Sequence, residues 1–210
     1  MLQQLFFLLV VRPVVLVVLG LNIRHREHIP TTGPAIVVSN HNSHLDTLVL
    51  MTLLPRALLA RLRPVAAKDY FLRNSLIAWF ALTIMHIIPL DRQVTYRNQD
   101  PLAECSDALK NGELLILFPE GSRGDPEQMS ELKTGIAHLA KRHPDVPITP
   151  VFLHGLGKAL PKGEALLVPF FCDVFVGTPI HWTGERQSFM TSLEQSIKAL
   201  ANEGQLPTWQ

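Results

Sequence analysis

The sequence predicts one α/β domain on a largely parallel central sheet flanked by helices, preceded by an apolar N-terminal helical segment suited to a membrane. Three observations carry this. From about residue 30, short β-branched or leucine-rich runs alternate with stretches of helical length, the pattern of strand–crossover–strand units. The chain has 210 residues, enough for one domain with a substantial core and short for two. The run from Leu5 to Leu21 is apolar except at Arg12 and Pro13.

That first run would reach about 26 Å as a helix, against a hydrocarbon core of roughly 30 Å. A guanidinium near its middle is costly in lipid, and Pro13 interrupts helical hydrogen bonding there. Two short helices meeting at Arg12-Pro13 and dipped into one leaflet are therefore expected. No basic region precedes the run and no small-residue cleavage site follows it, so a removed signal peptide fits poorly. Arg24, His25 and Arg26 close the run and favour a cytoplasmic position for that end.

The later elements follow from local signals. Ala35 to Val38, after Gly33-Pro34, reads as a buried strand. A helix is expected over 44–54, a weak strand over Pro64 to Ala67, a helix over Leu76 to Ile84, and a short strand end over His86 to Pro89. Asp100 with Pro101 can start a helix that runs to Asn111-Gly112. Glu113 to Phe118 is the clearest central strand. Ser130 can cap a helix to about Arg142. Ile148 to Leu153, Leu166 to Phe171 and Asp173 to Val176 are further strands, and Gln187 to Asn202 is a closing helix.

Composition excludes several classes. Apolar residues make up 47% and charged residues 18%, against a disordered chain. The net charge is +1, so no uniform basic field exists to hold nucleic acid. The charge is divided, however. Residues 24–97 carry nine Lys/Arg and four Asp/Glu, residues 98–210 nine and fourteen. The basic part directly follows the apolar run, where anionic headgroups would lie. Two cysteines, Cys105 and Cys172, make neither a disulfide scaffold nor a four-cysteine zinc site.

Ligands of open parallel sheets bind beyond the carboxyl ends of the strands, and the polar clusters stand there. The first is Asn40-His41-Asn42-Ser43-His44-Leu45-Asp46. A histidine with a carboxylate is the minimum general-base pair. Positions 41 and 46 lie about 140° apart on an ideal helix, so they meet only if His41 precedes the helix and Asp46 is in its first turn. Ser43 as N-cap with Asp46 near the third position provides that arrangement. The same residues also read as a simple cap beside a loop histidine, and His41, His44 and Asp46 as metal ligands. The second cluster ends in Asp91-Arg92, a phosphate fork or a surface ion pair. The third is Phe118-Pro119-Glu120-Gly121-Ser122-Arg123-Gly124, where glycines let backbone N–H groups approach an anion. It contains neither nucleotide-binding glycine motif, and Glu120 stands where a nucleophile elbow around Ser122 needs glycine. The fourth, Val146-Pro147-Ile148-Thr149-Pro150-Val151, says only edge or rim.

Taken in order, these four blocks resemble those of the lysophospholipid/glycerophosphate acyltransferase superfamily, of the 1-acylglycerol-3-phosphate acyltransferase type: N-H-x-x-x-x-D at Asn40 to Asp46, I-P-L-D-R ending at Arg92, F-P-E-G-S-R at Phe118 to Arg123, and V-P-I-T-P-V at 146–151. The resemblance covers roughly residues 30–180. It implies transfer of a fatty acyl group from acyl-CoA or acyl carrier protein to a glycerolipid hydroxyl, with no cofactor beyond the thioester donor. His41 would be the base and Asp46 its orienting partner. Arg92 and Arg123, with Lys68 by similarity, would hold the acceptor phosphate, and Glu120, Gly121 and Ser122 would shape its site. Asn40 and Ser43 would support an oxyanion. The expected division is an anchor over 1–24 and a catalytic domain over 25–210, on the cytoplasmic face of the inner membrane. The lipid acceptor, the thioester donor, the membrane surface and an acyl carrier protein are the implied partners. Other acceptors, a metal-dependent hydrolase, or a non-catalytic membrane module are the competing readings.

Overall fold

A computed structural model describes residues 2–71, 73–91, 100–122, 124, 130–159 and 170–204. Helix α1 (Leu2–Phe6) continues through π-helical turns over Phe7–Val11 and Val14–Val18 into strand β1 (Leu19–Arg24). A 3₁₀ turn at Arg26–His28 leads to β2 (Ala35–Ser39), α2 (Leu45–Leu53), a 3₁₀ helix at Arg56–Arg61, β3 (Leu62–Ala67) and α3 (Lys68–Phe71). Then come α4 (Ser75–Thr83), β4 (Ile88–Leu90), α5 (Ala103–Lys110), β5 (Leu114–Leu117), α6 (Gly135–Arg142), β6 (Ile148–His154), α7 (Leu156–Ala159), β7 (Phe170–Val176) and α8 (Arg186–Glu203).

The strands form one sheet in the order β1-β7-β6-β2-β5-β3-β4. Every neighbouring pair is parallel except β6 with β7. Side chains alternate across a strand, and the core divides accordingly. Ala35, Val37, Leu114 and Ile116 face one apolar layer with α2 and the N-terminal helix. Ile36, Val38 and Leu115 face the other with α5, α6 and α8. Because β2 to β6 run the same way, the residues following each emerge along one edge.

Four local expectations change. The N-terminal segment is one helical stretch, not two, and ends at Val18. Arg12 and Pro13 both keep α-helical dihedrals, and the Arg12 N–H donates to the Phe7 carbonyl five residues back. This wider turn spacing absorbs the proline. Residues 19–24, expected in an anchor, pair with β7 instead. Gly20 lies under the Phe171 ring, where a Cβ would come within 2.6 Å of it. Among the described residues no helix is long and apolar enough to cross a membrane.

Second, α6 starts at Gly135 rather than near Ser130. The Lys133 N–H is already donated to the Pro119 carbonyl, and the Ser130 N–H to Glu120, so these residues brace a loop instead of opening a helix. Third, Phe170 to Val176 is one strand, with Cys172 inside it. Residues 166–169 of the expected preceding strand lie outside the described residues. Fourth, the proline-bracketed strand β6 is central. Pro150 stands where the ladder to β7 stops, beyond the Val151–Val176 pair, and its carbonyl accepts the Gly177 N–H. Its missing N–H therefore costs no ladder bond.

Candidate active site

Strand β2 ends at Ser39, and the chain turns through residues 40–44 before entering α2. One carboxylate oxygen organises that turn. Asp46 Oδ2 accepts the Asn42 N–H at 2.6 Å, the Ser43 N–H at 2.8 Å and His41 Nδ1 at 2.9 Å. The Ser43 hydroxyl accepts the Leu45 N–H at 3.3 Å. This is a capping box with an imidazole added. The cap and the general-base pair, alternatives in the sequence, are thus the same structure. A carboxylate only accepts, so the proton lies on Nδ1 and the Nε2 lone pair is left for another donor. Nε2 has no hydrogen bond to any described residue, and the His41 side chain is 19% exposed.

Asp46 is fully buried, and its Oδ1 has no hydrogen-bond partner among the described residues. Burial pushes its carboxyl above the ordinary range, opposed by His41 and by the N–H groups of Ser43 and Asn42.

The loop after β5 holds His41 from the other side. The Phe118 ring stacks on the imidazole, with centroids 4.1 Å apart and planes at 20°. Glu120 Oε1 accepts the His41 N–H at 3.0 Å, and its Oε2 accepts the Ser130 N–H at 3.1 Å. The Gly124 N–H donates to the His41 carbonyl at 3.2 Å. Ring, N–H and carbonyl of His41 are thus all fixed by residues 118–124. Gly121 makes the turn at φ +74°, a region costly to residues with a Cβ. Ser122 is exposed beside it.

The predicted residues divide by role. Glu120 was expected to bind substrate, but it is buried and both its oxygens take backbone N–H groups. It shapes the site through His41 and Ser130. Asn40 was expected to help an oxyanion, but its amide donates to the Leu153 carbonyl at 2.8 Å and accepts the Leu153 N–H at 2.8 Å. It staples the ends of β2 and β6. Ser43 likewise caps α2. Lys68 begins α3 beyond β3, two strand spacings from β2, or roughly 10 Å. Its ammonium is 3.7 Å from Asp91. Arg92 and Arg123 lie outside the described residues. His44 turns its Nε2 to the Tyr70 hydroxyl at 3.0 Å, and among the described residues no three His, Cys, Asp or Glu side chains are grouped to hold a metal ion. Phe118 and the backbone of Asn42 escaped notice as site components. An aromatic residue closing the most apolar strand, directly before Pro-Glu-Gly, was the available signal.

A family model described as Acyltransferase matches residues 20–154. The chain belongs to the acyltransferase family. It is 31% identical over 178 residues to a 1-acyl-sn-glycerol-3-phosphate acyltransferase alpha of Mus musculus, covering 84% of this chain and 60% of the relative. A chloroplastic 1-acyl-sn-glycerol-3-phosphate acyltransferase of Arabidopsis thaliana is 31% identical over 163 residues, 77% of this chain and 44% of that protein. The chain thus spans about half the length of these relatives. The fold matches a crystal structure of the 1-acyl-sn-glycerophosphate (LPA) acyltransferase PlsC from Thermotoga maritima with a TM-score of 0.77. That match is at 21% identity and covers 99% of this chain and 80% of that one.

Proposed function

We propose that this member of the acyltransferase family moves a fatty acyl group from a thioester, on CoA or acyl carrier protein, to the free hydroxyl of 1-acylglycerol 3-phosphate, giving phosphatidate. The observation that carries the reading is the His41–Asp46 pair, whose Nε2 is left open for a donor at the carboxyl edge of the sheet. The names of the relatives support the choice of acceptor.

In this reading Nε2 takes the proton of the lipid hydroxyl as its oxygen attacks the thioester carbon. The carboxylate of Asp46 stabilises the imidazolium that forms. The tetrahedral intermediate collapses, the C–S bond breaks, and the leaving thiolate takes the proton back. The acceptor is held by its own phosphate, so no acyl-enzyme is required and positioning carries much of the acceleration. Arg92, Arg123 and Lys68 are the proposed phosphate holders. The reaction uses no cofactor beyond the thioester.

Both substrates carry acyl chains, so the site has to reach a bilayer. Leu5, Leu9, Leu16 and Val17 of the N-terminal helix are exposed, as are Leu76, Ile77 and Trp79 of α4. Phe6 and Phe80 join the two elements edge to face at 5.2 Å. We propose that this joint apolar surface rests in one leaflet, on the cytoplasmic side favoured by Arg24 and Arg26.

Free-thiol release with a panel of acceptors tests the function. The expected result is fastest release with 1-acylglycerol 3-phosphate. Preference for glycerol 3-phosphate or a lysolipid with a larger headgroup would replace the acceptor, and no release with any acceptor would remove the activity.

A further inference from the structure

At the far end of α2 from His41 lies a second concave site. A cavity of about 340 Å³ opens between the N-terminal helix, the turn at Arg26–His28, the end of α2 and the 3₁₀ helix at Arg56–Arg61. Its inner wall is apolar and buried, formed by Phe7, Ile29, Met51, Leu53, Leu54 and Leu59. Its lining also includes three arginines, Arg12, Arg26 and Arg56, and one acid, Glu27. None of the three arginines makes an ion pair with any described residue. They come from three separate elements, so the fold, not local sequence, gathers them. Five residues of α2, about 7.5 Å along its axis, separate Asp46 from Met51 in the cavity wall.

We propose that this cavity binds the phosphate headgroup of an anionic lipid, as a second lipid site separate from the acceptor site. The volume is at the lower end for small-molecule pockets, about 300–1,000 Å³, so it suits a headgroup with the start of its chains rather than a whole lipid. Guanidinium groups pair with phosphate oxygens in planar, often bidentate geometry. The apolar wall continues onto Leu5, Leu8 and Leu9 of the same helix, which are exposed. A lipid in a leaflet can therefore put its phosphate among the arginines without leaving the bilayer. The site also gives Arg12 a place: the one cation in the apolar run lines this pocket.

The test measures binding of the full chain to vesicles, a readout independent of acyl transfer. Partition is compared between phosphatidylcholine vesicles and phosphatidylcholine vesicles containing phosphatidate, for the unaltered chain, for Arg12→Gln/Arg26→Gln/Arg56→Gln, and for the charge-matched Arg24→Gln/Arg61→Gln/Arg73→Gln. The pocket variant is expected to lose at least tenfold of the preference for phosphatidate-containing vesicles, and the charge-matched variant only a small part of it. Equal losses in the two variants would reduce the effect to diffuse surface charge and overturn the proposal. A separate arm adds inorganic phosphate without vesicles. Saturable thermal stabilisation there, lost in the pocket variant and accompanied by no vesicle preference, would make free phosphate the ligand and overturn the lipid assignment.

Discussion

His41 is held at three points, and each has a separate physical role. Asp46 fixes the tautomer, Phe118 fixes the ring plane, and Glu120 with Gly124 fixes the backbone. Asp46 achieves this at a cost in stability, because its charge is buried. A carboxyl whose pKa is raised by folding stabilises the fold fully below its unfolded value, here 3.8, and loses that contribution as pH rises through the folded value. Asn at position 46 keeps an oxygen for the Asn42 and Ser43 N–H groups but carries no charge. Asp46→Asn is therefore expected to gain stability relative to the unaltered chain as pH rises above 3.8, while losing most of its turnover. Thermal unfolding across pH beside thiol release checks both, and a stability difference that moved the other way would contradict the burial argument. The pairing of 41 with 46 was readable because a five-residue separation allows only one geometry at a helix start. The roles of Asn40 and Glu120 were not, since their partners, Leu153 and Ser130, are distant in sequence or inside an irregular loop.

Among the elements, two carry the site: the end of β2, stapled to β6, and the loop after β5. Asn40→Ala leaves the Leu153 N–H buried without its partner, while the Leu153 carbonyl keeps the Asn42 amide at 3.2 Å. At about 1–3 kcal/mol for one unpaired buried group, a loss of that size is expected in denaturant unfolding. A role confined to an oxyanion would instead lower turnover and leave stability unchanged. Gly121→Ala places a Cβ in ordinary contact, 3.6 Å from Lys133 Cγ, so its penalty is conformational, about 1–2 kcal/mol. Its effect on turnover should exceed that on stability because the same turn carries Glu120. Elements with self-contained signals were legible: β2, β5 and α8 are clear from their runs, and α4 from its apolar stretch, with its cap at Asn74, which accepts the Leu76 and Ile77 N–H groups. Strand β1 was hidden because Leu19 to Ile23 continue the apolar run without a break. Only β7, some 150 residues later, makes those residues a strand.

For the whole molecule, a sheet in which β6, β2, β5, β3 and β4 run one way and β1 and β7 the other collects the polar clusters after those five strands on one edge and leaves the two faces to apolar packing. Cys105 lies in one layer and Cys172 in the other, so the sheet separates them. Burial pushes the Cys105 thiol up to about 12, and little of it is thiolate at neutral pH. Neither cysteine should react with a thiol reagent until the fold opens, and rapid labelling of the native chain would contradict the two-layer core. The α/β class and the edge placement were legible from alternation alone. The joining of the N-terminal helix and α4 into one apolar surface was not, because it rests on contacts such as Phe6 with Phe80. The most direct measurement of the central claim is thiol release in a single turnover by His41→Ala, with folding and vesicle binding followed in parallel. The account predicts that release falls to background while both other properties stay unchanged; release at a rate near that of the unaltered chain would contradict it.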